Sequence, residues 1–430
     1  MTRRIAIISE HASPLASLGG TDSGGQNIYV LHLALALAAR GDLVDIFTRR
    51  DLADSAPVVQ LAPRVRIVHV NAGPPTCVPK EQLLPYMPEF AQNMLDFIDR
   101  TGVRYALAHA NFWTSALAAL FVKRQLNLPF VVTFHALGRV RQMHQGAADA
   151  FPPERGAIEQ MVIAHADAVI AECPQDAADL ETHYSANRRR MRIVPCGVDR
   201  GRFHPIERSE ARRALRLPSD GAVLLQVGRM VPRKGVDVAV CSLRYLRETH
   251  DIDARLLLVG GDTETPDEVA TPYLRFLREL AEVEGVLDSV TFVGRRANDV
   301  LRYYYSAADV FVTTPWYEPF GITPLEAMAC GTPVIGSNVG GIKYTVVDGG
   351  TGFLVPPRDP NAVAARAAVL LNDAELRARM SSNAIDRVET QFQWKDIAAA
   401  IDELYSDVLD HTRVRRRVSA PAVTVVEASA

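Results

Sequence analysis

The sequence predicts an α/β protein built from two doubly wound domains. Its 430 residues are about twice what one ordinary domain uses, so two domains of roughly 200 residues are expected. Short apolar β-rich runs alternate with helical patterns, and they do so in two successive sets. The runs are apolar throughout, as parallel strands covered on both faces are.

Taken in order, the first set of strands is "RIAIIS", "LVDIFTR", "RVRIVHV", "YALAHA", "FVVTFHA", "AVIAEC" and "MRIVPCG". The second is "AVLLQVGR", "ARLLLVGG", "SVTFVG", "ADVFVTT", "TPVIGSN" and "GFLVPP". The seam falls in "GVDRGRFHPIERSE", which assigns 1–203 to the first domain and 204–392 to the second. In "WKDIAAAIDELYSDVLD", Ile397, Ile401, Leu404 and Val408 recur at helical spacing, predicting a final helix over 393–410. The tail 411–430 has no clear period and is expected to be disordered, its "RVRRR" run solvated rather than bound to acidic lipid.

Composition narrows the function. With 48% hydrophobic and 23% charged residues the chain fills real cores, and a net charge of -3 gives no global field for nucleic acid. Five cysteines without CxxC or metal-ligand spacing favour a reducing compartment over a disulfide framework. The apolar run in "MTRRIAIISEHASP" is too short for a signal peptide, and no stretch reaches the length of a membrane span. A soluble, cytoplasmic protein is expected, with contact at the inner membrane face left open. Nothing speaks to oligomeric state.

"GGTDSGGQNIYVLHLALALAARG" sets glycines ahead of a helix whose Ile28, Leu31, Leu35 and Ala38 form one stripe, with Gly41 ending it. A helix N-terminus attracts phosphate or carboxylate, and Gly24 and Gly25 would let the anion reach the backbone. Read alone, the loop fits an anion cradle or a mobile connector. Neither G-x-G-x-x-G nor G-x-x-x-x-G-K-[ST] is present, which argues against a dinucleotide-dependent oxidoreductase.

The second half adds "LLQVGRMVPRKGVDV", where Arg229 and Lys234 occupy a strand-to-helix turn. Ligands in open α/β sheets bind beyond the carboxyl ends of strands, and an arginine fork with a lysine point charge suits a diphosphate. The alternative is a pair of surface cations. In "PWYEPFGITPLEAMACGTPV", Glu318 sits in a loop beside Gly321 and can reach sugar hydroxyls. Thr323-Pro324-Leu325-Glu326 has the form of a capping box, so Glu326 either closes its own helix or accepts two hydrogen bonds from vicinal ribose hydroxyls. In the first half, His135 directly follows "FVVTF", and Arg139, Arg141 and His144 make the next segment cationic. One D-x-D, Asp251-Ile252-Asp253, precedes a strand and reads as a solvated turn; no metal and no cofactor are expected.

These residues together resemble the retaining, nucleotide-sugar-dependent glycosyltransferases of the GT-B fold, family 4. The resemblance runs from the glycine loop to "FQWKDI" and is most specific from Glu318 to "GTPV", with "GRMVPRKG" and "DGGTGFLVPPRDP" as further matches. The first half is most similar to the sucrose-phosphate synthase, sucrose synthase and mycothiol-pathway branch. The resemblance implies two Rossmann-like domains facing a cleft, with the last helix crossing back. It implies a nucleotide-sugar donor, UDP-linked by kinship, held by the second domain. Arg229 and Lys234 would hold the diphosphate with Gly24 and Gly25, Glu326 the ribose, and Glu318 the sugar. Phe320, Gly321 and Ile322 would line the donor, Arg295 would lie near the base, and His135 by the transferred sugar. His135, Arg229, Lys234 and Glu318 are then the catalytic set.

For the acceptor, the resemblance points to Lys80, Phe112, Arg139, His144 and Arg155. The mycothiol branch uses a lysine, a tyrosine, a threonine and an arginine on a phosphorylated acceptor. Lys80 and Arg155 match two of these, while Phe112 and Ala136 stand in place of the hydroxyl-bearing pair. The usual "GG-x-P-E" is "GGIKY" here, so Lys343 and Tyr344 are expected to alter the donor-sugar contacts. The cations imply an anionic acceptor: a sugar phosphate, a lipid-linked sugar or a growing polysaccharide. Transfer to fructose 6-phosphate, as in sucrose-phosphate synthase, is the second reading, and a non-catalytic nucleotide-sugar sensor the third.

Overall fold

The computed structural model describes residues 2–15 and 24–419. Gly19 and Gly20 of the glycine loop and residues 420–430 of the tail lie outside the described residues. The first sheet is eight-stranded, in the order β3-β4-β2-β1-β5-β6-β7-β8. Its strands are β1 (Arg4–Ile8), β2 (Leu43–Arg49), β3 (Val58–Ala62), β4 (Val65–Val70), β5 (Leu107–Asn111), β6 (Phe130–Thr133), β7 (Ala168–Ala171) and β8 (Met191–Ile193). The second is six-stranded, in the order β11-β10-β9-β12-β13-β14. Its strands are β9 (Ala222–Val227), β10 (Ala254–Val259), β11 (Val290–Gly294), β12 (Val310–Thr313), β13 (Val334–Ser337) and β14 (Gly352–Val355).

Both sheets reverse their direction of growth beside their first strand. β1 pairs in parallel with β2 on one side and β5 on the other, Ile7 lying opposite Ile46 and His109. β9 stands likewise between β10 and β12. Loops after such strands part to opposite faces and leave a crevice at the carboxyl edge. The exception to parallel pairing is β3, antiparallel to β4 with a register shift. The sequence does not predict β3: VVQLA is short, broken by Gln60, and exposed or only half-buried.

The helix Gly25–Ala39 buries Val30, Leu33, Ala34, Leu37 and Ala38; of the expected stripe Ala38 is buried, while Ile28, Leu31 and Leu35 are half-buried. It is apolar on nearly every side, so periodicity could not choose a face; the C-terminal helix packs against it as well. That C-terminal helix, Trp394–Ser419, follows the second domain yet returns to the first. Its Asp402 pairs with Arg3 and, at 2.8 Å, with Arg40, and its Tyr405 hydroxyl meets His109 at 2.7 Å. Ile397, Ile401, Leu404 and Val408 are all buried.

The tail expected from 411 is helical as far as Ser419. Arginines propagate helix well and neither glycine nor proline intervenes before Pro421, so each added residue gains a hydrogen bond without a new nucleus. Among the described residues, no helix is long and apolar enough to cross a membrane.

Candidate active site

A cleft with a cavity volume of about 370 Å³ opens where the carboxyl edges of the two sheets face each other. Residues following β1, β5, β6 and β7 form one wall; residues following β9, β10, β11 and β12 form the other.

On the second-domain wall, β9 ends at Val227, and Gly228 and Arg229 follow into the cleft. The next strand must come very close: a Cβ on Gly260 would lie 1.8 Å from the Gly228 carbonyl oxygen. The short turn Pro232–Lys234 then delivers Lys234, whose ammonium pairs with Glu318, with Arg233 3.9 Å from the same carboxylate. Burial works against ionisation of Glu318, but Lys234, Arg233 and Arg229 outweigh it and hold its pKa below the usual range. Burial pulls the Lys234 pKa down, against the support of Glu318.

The loop carrying Glu318 is braced by two glycines. A Cβ on Gly340 would lie 1.8 Å from the Glu318 carbonyl oxygen, and one on Gly341 2.3 Å from Phe320. Gly321, at φ 89°, starts the helix Ile322–Ala329. Phe320, Gly321, Ile322 and Thr323 line the cavity, so this N-terminus faces it. So do Gly24, Gly25 and Gln26, at the N-terminus of Gly25–Ala39. The two N-termini nearly touch: a Cβ on Gly25 would stand 2.9 Å from the Ile322 Cδ1. Two helix N-termini opening on one space favour an anion there.

Glu326 does not close a capping box. Gly321 begins the helix two residues before Thr323, which therefore sits inside it and caps nothing. The Glu326 carboxylate instead accepts from the Tyr305 hydroxyl at 2.7 Å. Burial pushes its pKa up to about 7, against the hydrogen bond and Arg202. Arg295 lines the cavity and its backbone N–H is bound to Thr263; Arg296 lines it too, held 2.7 Å from the Glu264 carbonyl oxygen.

On the first-domain wall, His135 takes a left-handed backbone, φ 58°, where β6 ends. Its Nδ1 is 3.1 Å from Glu172 and its Nε2 3.0 Å from the side-chain oxygen of Asn111. Tyr29 packs edge-on at 4.8 Å. Behind it, His109 is kept neutral, its pKa pushed down to about 3 by burial and by His135.

Lys80, Phe112, Ala136, Arg141 and Arg155 line the remainder of this wall. The other two expected acceptor residues do not. Arg139 turns away to Gln160 and the His183 carbonyl, over the Tyr184 ring. His144 stacks on Tyr317 at 4.8 Å, outside the lining. Lys343 binds Gln175 across the domains at 2.6 Å and Tyr344 packs against Phe392, so neither lines the cavity. Asp251 ends the helix Val236–His250, and Asp253 pairs with Arg247 at the amino end of β10, away from the cleft.

The family described as Glycosyltransferase Family 4 matches residues 23–202, and Glycosyl transferases group 1 matches 207–387. A D-inositol 3-phosphate glycosyltransferase of Corynebacterium efficiens is 35% identical over 94% of this chain and 95% of its own. The chain belongs to glycosyltransferase family 4. It is therefore an enzyme, a GT-B glycosyltransferase that uses a nucleotide sugar. A solved sucrose-phosphate synthase from Thermosynechococcus elongatus matches with TM-score 0.86 and 36% identity, covering 95% of this chain and 100% of that one. The Anabaena protein HepE, solved with UDP-glucose, shares the fold: TM-score 0.71, 19% identity, 94% and 99% covered.

Sequence reasoning passed over His11, Glu172 and Arg296 of the transferase's cleft, and Glu10 and Asn111, which hold His11 and His135. The available signal was position. His11, Glu172 and Arg296 each fall just beyond an apolar strand, as His135 does, but an acid or base at a strand end also reads as a turn residue.

Proposed function

We propose that this glycosyltransferase is a retaining hexosyltransferase that moves the sugar of a UDP-hexose to a carbohydrate hydroxyl. The observation that carries the reading is the convergence of Arg229, Lys234 and two helix N-termini on one space, with Glu318 and Glu326 alongside. In the proposed roles, Arg229 and Lys234 take the diphosphate with the N–H groups behind Gly24, Gly25 and Ile322. Glu326 takes the ribose hydroxyls and Arg295 lies by the base. Lys234 shifts from Glu318 toward phosphate when the donor enters, which turns the Glu318 carboxylate to the sugar hydroxyls. His135, steadied by Glu172, faces the transferred sugar.

Charge grows on the diphosphate as the glycosidic bond breaks. Fixed cations aimed there stabilise the transition state more than the ground state. Loss of one such partner costs about 3 kcal/mol, roughly a hundredfold in rate. The acceptor attacks from the face the diphosphate leaves, and the leaving phosphate takes the acceptor proton. No protein nucleophile and no metal are then needed; loss of turnover in EDTA with rescue by manganese overturns the metal-free reading.

A thermal-shift panel of UDP, GDP, ADP, their sugar conjugates and NAD tests the donor. A ligand at a hundred times its dissociation constant adds about 2.7 kcal/mol to the native state. A shift with one UDP-sugar, lost in Lys234→Ala and Glu326→Ala, is expected; a shift with NAD alone, or none at saturation, overturns the assignment. Similarity to the sucrose-phosphate synthase favours fructose 6-phosphate as a second acceptor reading, and the name of the Corynebacterium relative adds D-inositol 3-phosphate.

A further inference from the structure

Among the described lining residues, each lysine or arginine of the first-domain wall is paired with a carboxylate. Arg155 binds Glu159 at 2.8 Å, and neither side chain is more than 3% exposed. Arg141 binds Asp149 at 2.7 Å, and Lys80 lies 3.6 Å from Glu81. His11 meets Glu10 at 2.7 Å. Burial opposes a charge on Glu10, but His11, Ser115 and Thr114 outweigh it and keep its pKa low. A further carboxylate, Glu172, lines the cavity itself beside His135.

The arginines are also fixed in place. Phe151 carries Arg155 at 4.3 Å and Arg141 at 4.8 Å from its ring centre, and Phe112 carries Arg155 at 4.9 Å. Arg155 donates a second hydrogen bond to the Ala136 carbonyl at 2.5 Å, while its Nη1 has no partner among the described residues. A phosphate dianion can take that free Nη1 without breaking the pair, but it then meets a guanidinium whose charge Glu159 already neutralises. Glu159 is itself fixed by the Gly138 N–H at 2.9 Å and by the Tyr184 hydroxyl, so the neutralising carboxylate stays in place. A hydroxyl needs a donor and no net charge, and the faces of Phe112 and Ala136 suit the carbon side of a ring.

We propose that this half of the cleft is an acceptor subsite for an uncharged sugar or polyol rather than a phosphorylated one. The proposal rests on the reading above, in which this wall receives the acceptor. It reverses the expectation of an anionic acceptor, which counted cations without their partners.

The test uses the full chain and paired acceptors: myo-inositol with D-inositol 3-phosphate, fructose with fructose 6-phosphate, and glucose with glucose 6-phosphate. Nucleotide-sugar binding is measured separately by calorimetry. The uncharged member of a productive pair should show kcat/KM about tenfold or more above its ester. Asp149→Asn, checked for an unchanged melting temperature, should move that ratio toward the ester by about threefold, because it releases the charge of Arg141. Equal use, or preference for the esters, overturns the proposal. So does donor binding with no transfer to any uncharged acceptor, or an unchanged ratio in Asp149→Asn. Absence of nucleotide-sugar binding instead overturns the parent reading, and this proposal with it.

Discussion

On the second-domain wall of the cleft, Arg229, Arg233 and Lys234 crowd around Glu318 and contend for it. On the first-domain wall, Arg155, Arg141 and Lys80 stand apart, each with a carboxylate of its own. The residue types are the same; their arrangement is not. Clustered cations repel one another, and burial lowers the pKa of Lys234 further; the diphosphate proposed to bind there would relieve both stresses. Separated pairs are already neutralised and gain little net charge attraction from an anion. Charge counted along a sequence therefore says less about a ligand than charge counted after pairing.

The largest expected effect is at the crowded wall. Lys234→Ala should lower kcat/KM by about a hundredfold to a thousandfold, with the enzyme still folded. Arg141→Ala, across the cleft, should cost far less. Steady-state kinetics of the two variants side by side decide it: equal losses would break the distinction between the walls.

Next comes a pH effect of about tenfold. Glu326, near pKa 7, must be ionised to accept two ribose hydroxyls. Between pH 6 and 8 its ionised fraction rises about tenfold, and donor affinity by calorimetry should rise with it. Stability runs the other way. A carboxyl whose folded pKa is raised lends stability that is complete below its unfolded pKa, near 4.5, and is lost as pH rises through about 7. The loss amounts to no more than about 3 kcal/mol, and Asp176, raised to about 8 by burial and Glu172, adds in the same direction. Burial of neutral His109, its pKa pushed down to about 3 from 6.5, acts the opposite way below pH 6.5, so Glu326→Gln is the reference: from pH 5 to 8 the melting temperature of the unliganded wild type should fall relative to the variant's, while the shift produced by UDP-sugar grows. Glu326→Gln, which leaves the Asp176 contribution in place, should flatten the affinity trend, and a pH-independent donor affinity in the wild type counts against the ribose role.

A smaller effect separates contact from chemistry where the two walls meet. Gly25→Ala sets a methyl 2.9 Å from the flexible end of Ile322, which can yield, so stability should change by less than about 1 kcal/mol. The same methyl stands over N–H groups proposed for phosphate, so donor affinity should fall about fivefold. Adding Ile322→Val removes the crowding atom. It should restore the melting temperature and leave the affinity low; recovery of both would make Gly25 a packing residue only.

What the sequence made legible follows from the physics of each element. Strands buried on both faces announce themselves as apolar runs, so the two sheets could be read; β3, half-exposed at an edge, could not. Arg229, Lys234 and His135 stood out because they follow such runs directly, where both sheets deliver ligand-facing residues. Glu326 was ambiguous because the capping-box pattern is local, whereas its partner Tyr305 comes from another helix. The carboxylates behind the acceptor wall were invisible for a similar reason. Glu159 and Asp149 lie close to their arginines in sequence, but no periodicity says which charges turn inward together.

The smallest expected effect concerns Arg139, which shares a helix with Arg141. Residues two apart in a helix point to different sides, so when Arg141 lines the cleft Arg139 cannot, and it is bound to Gln160 and the His183 carbonyl over the ring of Tyr184. Arg139→Ala should therefore leave the acceptor KM within about twofold of wild type while lowering the melting temperature by about 2 °C, the scale of one cation–π contact. Arg141→Ala, by contrast, should raise the acceptor KM, since it removes a lining side chain and leaves Asp149 unpaired beside the substrate. A large KM change in Arg139→Ala without a stability change would mean that the helix Gly138–Gln145 rotates when acceptor binds, and that the pairing on this wall belongs to the empty enzyme alone.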